Sequence, residues 1–515
     1  MGEEEVYNER MKLYLITTMI LAGLCSYVDA APKKKGDMGN LGNVLYIGDS
    51  ITHGFRAPSY RWAMHKILVD NGIEYEEIGI EKGNHSNGVE PGTVYIARPF
   101  KNVHAAMSSQ RAYETSGRLH PDNSNRLDKT DIFDWLAIEG KADSDKRRLK
   151  EVPNTCFILL GTNDTLSDHG NNIAKRIKQV QNDLLDKKKG DLSVIVDAIR
   201  KVNPKARVYV LSIPAWGDMR QANEAKDYEA VVKKFNAALA KRFRKEYVDL
   251  NQGLVDIACE DKPGKAVRNF MNAGDQMHPT LQGDLLMAGL VARTMGIAGR
   301  SAGLQRKAGS AFVLNAQLLL DGASQKEGVA VVDGKMTLAA GKSLVTPWKE
   351  GADVSKGFAV ELQLALGDGP KNGWKKEPQV GLTLGNGAHT GLLNFSESYI
   401  MWGNTVLYPL NMANNKETVR VAWVGGNASQ NVAKGFYVWL GDMLIGEGLP
   451  DVKGKVNGIV LNNASDATVE VLGLSADTES SAPATKNYVK EQASIVYDEE
   501  APPAPAAPAA PPAAK

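Results

Sequence analysis

NVLYIGDSITHG, residues Asn43–Gly54, decides the fold. Four apolar residues, Val44 to Ile47, run into Gly48-Asp49-Ser50 and then into a helix-like segment. Such a run, bounded by a turn, reads as a buried strand passing through a tight turn into a helix. Asp and Ser are preferred at helix N-caps, because their side-chain oxygens accept bonds from the free N–H groups of the first turn. On this stretch alone Ser50 is therefore either part of a helix start or a nucleophile. Catalysis requires a base, an orienting carboxylate and oxyanion donors elsewhere in the chain.

Outward from this point the same alternation repeats. Strand-like EYEEIGI, TCFILLG, ARVYVLSIP and EYVDL are separated by helical segments through Arg61–Asp70, Leu192–Val202 and Lys226–Arg244. Strands alternating with helices imply an α/β fold with a parallel sheet covered on both faces. Reactive groups in such sheets lie at the carboxyl ends of the strands, where Gly48-Asp49-Ser50 and Gly161-Thr162-Asn163-Asp164 both fall. Between Glu81 and Gly140 the chain is polar and rich in loop signals, and it is expected to wall a substrate cleft.

Beyond Gly303 the texture changes. FAVELQLAL, QVGLTLG, TVRVAWVG, GFYVWLGDMLIG and ATVEVLGLS alternate apolar and polar positions between Gly, Asn and Asp turns, which predicts an antiparallel β-sandwich. The last stretch, APPAPAAPAAPPAAK, cannot pack a core and is expected to be an extended spacer. The expected organisation is a signal peptide over 1–30, an α/β domain over 31–302, a β-sandwich over 303–478 and a disordered Pro/Ala-rich tail over 479–515.

Met11-Lys12 opens a short basic start, then the apolar LYLITTMILAGLCSYV, then VDAAP with a small-x-small cleavage pattern. That is the anatomy of a secretory signal cut after Ala30, with Met11 as the expected true start. The run is shorter than the roughly 20 apolar residues of a membrane span, so no span is expected once the signal is removed. A secreted, periplasmic or cell-surface location follows. Lys and Arg number 61 against 60 Asp and Glu, for a net charge of +1. No basic excess exists to neutralise a polyanion, and no nucleic-acid partner is expected. With Cys25 lost with the signal, Cys156 and Cys259 remain; they either pair or stay as buried thiols.

Among the eight histidines only His278, in AGDQMHPTLQG, has an acid three residues before it, Asp275. On one turn the carboxylate meets one ring nitrogen while the other faces a nucleophile. LLGTNDTL sets an amide, Asn163, at a strand's end as an oxyanion donor; alone it also suits a turn. No two histidines lie within four positions and no Cys-x-x-Cys is present, so no zinc site of the usual local type and no metal or other cofactor are expected.

With GDSIT, GTND and DQMH in this order, the segment 43–299 resembles the SGNH (GDSL) hydrolase family, a three-layer flavodoxin-like α/β fold of esterases, lipases and carbohydrate deacetylases. The resemblance implies Ser50 as nucleophile, Asp275 and His278 as acid and base, and Asn163 as side-chain oxyanion donor, beside the Ser50 N–H. The family's second backbone donor is a glycine; the best match, VHAAMSSQRA, sets Ser109 there, with Gly117 and Gly83 as alternatives. It implies acyl transfer through an acyl-enzyme, with an acylated carbohydrate as the expected substrate and acetyl as the expected acyl group.

The region from Ser310 to Ala476 resembles concanavalin-like, laminin-G-type sandwiches in texture, mainly through GFYVWLGDMLIGEGLP. Its candidate sugar-binding rings are Trp374, Tyr399, Trp402 and Tyr408, each of which a core would also use. Two other functions stay open: a catalytically silent carbohydrate-binding surface protein, and a lipase-type acyl hydrolase.

Overall fold

The computed structural model describes residues 39–477 except 56–57, 86–87, 97, 118–130, 139–147, 167–177, 179–180, 215–221, 253–269, 272–276, 298–319, 322, 333–334, 349–356, 366–379, 397–398, 410–416, 427, 442 and 466. The signal peptide and the Pro/Ala tail thus lie outside the described residues, as do Asp275, Cys259 and Trp374.

The first half is built on strands β1 (Asn40–Gly48), β2 (Glu74–Ile78), β3 (Glu81–Lys82), β4 (Val103–Ala106), β5 (Thr155–Leu159), β6 (Arg207–Leu211) and β7 (Tyr247–Val248). Their order is β3-β4-β1-β5-β6-β7, with β2 also paired to β1. All these pairings are parallel except β3 with β4. Every residue of β5 is buried, as a central strand covered on both faces requires.

Helices α1 (Ser50–His53), α2 (Tyr60–Asp70), α3 (Ala112–Thr115), α4 (Ile132–Trp135), α5 (Thr162–Leu166), α6 (Asp191–Val202), α7 (Ala222–Phe243) and α8 (Leu281–Thr294) complete this half. Leu192, Ile195, Val196 and Ile199 of α6 are buried while Asp197 and Lys201 face solvent, the stripe that a 3.6-residue period produces. The expected strands and helices are found where the alternation predicted them. One correction concerns the polar segment 81–140: it contains β4, which pairs Ala105 and Ala106 with Ile47 and Gly48. A four-residue strand of Val, His and two Ala carries little β signature, so it reads as loop.

The second half consists of two antiparallel sheets. One runs Val329–Val332, Lys335–Leu338, Val469–Asp477, Phe358–Ala365, Val419–Val424, Gly435–Leu440, Met443–Leu449 in spatial order; the other runs Ser343–Pro347, Asn457–Asn463, Val380–Asn386, Thr390–Phe395, Tyr399–Trp402, Thr405–Pro409. Alternate residues such as Val360, Val421 and Val438 of the first and Leu382, Leu393 and Leu461 of the second share one buried cluster. Of the candidate rings, Trp402 and Tyr408 are buried, Trp402 donating to the Pro450 carbonyl at 2.9 Å; Tyr399 is half-buried. Trp402 and Tyr408 serve the core, because a sheet face closed by a partner sheet takes the largest apolar surfaces first.

The same cluster crosses between the halves. Met64, Ile67 and Leu68 of α2 and Leu286 and Leu290 of α8 join Leu440, Met443, Leu444 and Ile445. Gly289 allows the close approach, since a Cβ there would lie 2.8 Å from Met443 Cγ. Around this contact Gln282 donates to the Leu407 carbonyl at 3.3 Å and to that of Ile445, Arg293 pairs with Glu417 at 3.1 Å, and Lys66 pairs with Glu447. Cys156 is fully buried in β5, and burial pushes its thiol up. No described helix is long and apolar enough to cross a membrane.

Replacing Gln282 with Ala strips two carbonyls of their donor. The expected outcome is a loss of about 1–3 kcal/mol in urea denaturation of the whole chain. An unchanged midpoint would show that the amide does not join the two halves.

Candidate active site

Ser50 is the first residue of α1. Asp49 caps that helix in extended conformation, accepting from the Ile51 N–H at 3.0 Å. Gly48 is required by crowding, since a Cβ would lie 2.1 Å from Thr52 Oγ1 and 3.0 Å from the Leu159 carbonyl. The chain thus leaves β1 so tightly that Ser50 emerges at its carboxyl end, 8% exposed.

His278 reaches this serine from 228 residues away: its Nε2 lies 2.7 Å from Ser50 Oγ. A short bridge between Met271 and Pro279 and the Thr280 N–H, bonded to the Phe270 carbonyl at 2.9 Å, anchor the backbone directly after it. Thr280 then caps α8 through Gly283 N–H at 3.2 Å.

Ser109 has φ +66°, the left-handed region where glycine is favoured. It sits in the turn closed by the Gln110 N–H and the Met107 carbonyl at 3.0 Å, and Met107 N–H bonds the Gly48 carbonyl at 3.3 Å. A serine therefore adopts the conformation in which a glycine was expected, at a strain of roughly 1–2 kcal/mol. Among the described residues nothing accepts from the Ser109 or the Ser50 N–H. The alternatives are engaged otherwise: Gly83 N–H bonds the Asn102 carbonyl at 2.8 Å and Gly117 N–H that of Glu114 at 3.4 Å.

Asn163 lies one turn past β5 and its Nδ2 donates to the Gln110 carbonyl at 2.9 Å, leaving its second hydrogen for another acceptor. The loops carrying Ser50, Ser109 and Asn163 thus leave three adjacent strands, β1, β4 and β5.

Sequence reasoning missed the surroundings. Phe55 stands beside His278, ring centres 4.6 Å apart, and beside the exposed His85 at 5.0 Å. Beneath them His53 contacts His85 and His104 at 5.5 and 5.1 Å. Burial, then the Arg61 charge and His85, lowers His53 to about 4; burial and Arg61 also hold His104 far below the usual histidine range. Arg61 itself is fully buried, donating to Thr52 O and Asn102 Oδ1, both at 2.7 Å, and to Asn84 Oδ1 at 3.2 Å. Nothing marks this arginine in the sequence, because helix periodicity assigns it to no special place. Among the described residues no group of His, Cys, Asp or Glu is arranged to hold a metal ion.

Residues 46–285 match the model of the GDSL-like Lipase/Acylhydrolase family. No curated protein matches the chain. Among solved structures the chain is similar to a carbohydrate esterase family 3 protein from Talaromyces cellulolyticus, at 17% identity and TM-score 0.32 over 49% of this chain and 95% of that one. It is similar also to a Clostridium thermocellum family 3 carbohydrate esterase, at 17% and 0.28 over 50% and 96%, and to an extracellular lipase from Streptomyces rimosus, at 16% and 0.28 over 49% and 99%.

Two outcomes are expected of this geometry. Ser109→Gly relieves the left-handed strain and changes stability by between zero and a gain of about 1 kcal/mol, whereas Ser109→Val, branched at Cβ, lowers it. Equal denaturation midpoints for glycine and valine would remove the left-handed assignment.

Burial, opposed by the Ile51 N–H and Thr162, raises the Asp49 carboxyl from 3.8 to about 6. The folded state then holds this proton more tightly than the unfolded one, so stability is highest below pH 4 and falls as pH rises through about 6. Asp49→Asn keeps the cap and removes the ionisation, and it should retain about 3 kcal/mol that the parent loses across that window. Parallel stability curves for the two proteins between pH 4 and 7 would contradict this.

Proposed function

We propose that residues 46–285, which match the GDSL-like Lipase/Acylhydrolase model, work as a serine esterase with Ser50 as nucleophile and His278 as general base. The observation that carries the reading is the 2.7 Å approach of His278 Nε2 to Ser50 Oγ. A neutral imidazole at that distance accepts the hydroxyl proton as Oγ attacks an acyl carbonyl. Negative charge then develops on the carbonyl oxygen. The Ser50 and Ser109 N–H groups and the Asn163 amide are the donors assigned to hold it. His278 returns the proton to the departing alcohol, and water repeats the sequence on the acyl-enzyme. Asp275, three residues before His278, is the assigned orienting acid.

The substrate we assign is an acyl ester of a carbohydrate, with acetyl as the acyl group. A hydrophilic leaving group is supported by Phe55 beside His278 and the exposed His85 beside Phe55, a ring face next to a polar group. The reading includes action outside the cytoplasm, resting on residues 11–30 as a secretory signal. The silent-protein alternative rested on a serine in place of glycine, and the left-handed backbone of Ser109 supports the esterase reading over it.

Release of acetate from a panel of acetylated polysaccharides and sialylated mucin, with p-nitrophenyl acetate as a general ester, tests the reading. Ser50→Ala and His278→Ala should each lower kcat by on the order of a million-fold. Asn163→Ala should raise the barrier by about 3–4 kcal/mol, the scale of one lost oxyanion donor. Equal rates for the parent and Ser50→Ala would sink the esterase.

A further inference from the structure

The two loops that carry Ser109 and Asn163 are joined by neighbouring residues of α5. Asn163 Nδ2 donates to the Gln110 carbonyl at 2.9 Å, and one residue on, the Asp164 carboxylate accepts the Ala112 N–H through Oδ2 at 3.0 Å and Oδ1 at 3.2 Å. Asp164 is buried, 6% exposed, so this acceptor works out of water's reach. Ser109 lies between two anchors. On one side Met107 N–H is bonded to Gly48 of β1; on the other Gln110 and Ala112 are bonded to Asn163 and Asp164. Behind them Ser116 Oγ donates to Asp191 at 2.6 Å, fixing the far end of α3 to α6.

We propose that Asp164 is a positioning residue of the oxyanion hole: its bond to Ala112 N–H sets the Ser109 N–H against the Asn163 amide. The proposal rests on the serine-esterase reading above. A backbone donor in a left-handed turn has no side chain of its own to hold it, so its direction depends on the anchors at each end of the turn. Oxyanion donors act when aimed at the transition-state oxygen, and a displacement of about 1 Å costs on the order of a hundredfold in rate. Loss of the Asp164 acceptor therefore lowers kcat and leaves ground-state binding in place. Either a carboxylate or a side-chain amide supplies that acceptor. Burial raises the Asp164 carboxyl to about 7, and both its protonated and ionised forms accept.

Ala112 offers the reciprocal test. It is the first residue of α3, where proline is tolerated, and Arg111 before it is extended, as a residue preceding proline prefers. Ala112→Pro deletes the N–H and leaves Asp164 in place.

The experiment measures kcat and KM on p-nitrophenyl acetate for the parent, Ser50→Ala, Asp164→Ala, Asp164→Asn, Ala112→Pro, Asn163→Ala and the double variant Asp164→Ala/Asn163→Ala. Thermal melting is followed for each. Expected are a ten- to hundredfold fall in kcat with KM within about threefold for Asp164→Ala and Ala112→Pro. Asp164→Asn should stay within about threefold of the parent, and Asp164→Ala should cost less in the Asn163→Ala background than alone. If Asp164→Ala does not melt cooperatively, Ala112→Pro and Asp164→Asn decide the matter. Ser50-dependent activity with unchanged kcat in Ala112→Pro, or a penalty that falls on KM alone, overturns the proposal. Equal rates for the parent and Ser50→Ala overturn the esterase reading, and the proposal with it.

Discussion

Everything that gathers at the candidate site depends on the close approach at Gly48. In register with Ala106 of β4 and Leu159 of β5, it ends the strand with no space for a Cβ between the Thr52 side chain and the Leu159 carbonyl. Its own carbonyl takes the Met107 N–H. Three loops therefore start from one point on the sheet: one carries Ser50, one Ser109 and one Asn163. The crossing of helices over a parallel sheet places such loops on one edge by topology alone. The approach at Gly48 adds tightness, because a larger residue would push the first helix away from its neighbours.

A second constraint lies behind α1. Arg61 is buried, and a buried guanidinium is costly unless its donors are met. Here they meet carbonyls and amides rather than a direct carboxylate: Thr52, His53 and Gly83 carbonyls, Asn102 and Asn84. Asn102 in turn binds Glu77 through its N–H at 2.8 Å and the Val89 carbonyl at 2.7 Å. The network ties the α1 region to the polar segment that begins at Glu81. It also explains why His53 and His104 are held neutral: burial and a fixed cation beside them both disfavour imidazolium.

The antiparallel half is more than an appended module. It closes one core with α2 and α8, and α8 begins three residues after His278. The helix that follows His278 is packed between the parallel sheet and the strand Met443–Leu449. Burial of Trp402 and Tyr408 fits this role, since their surface is used to hold sheets together.

The sequence by itself determined the order of strands and helices, the GDS, GTND and DQMH motifs at their ends, and the change to antiparallel texture past residue 303, because apolar periodicity and turn chemistry are local. Ser50, Asn163 and His278 were legible as candidates for that reason, and Ser109 only as a mismatch. Tertiary structure alone decided that His278 meets Ser50 across 228 residues, that Ser109 takes a left-handed turn, that β4 is a strand, and that Arg61 and Asp164 are buried. These depend on which backbone groups a distant segment leaves to be satisfied. A buried donor or acceptor must find a partner wherever the fold brings one. No periodicity in the chain records where that will be.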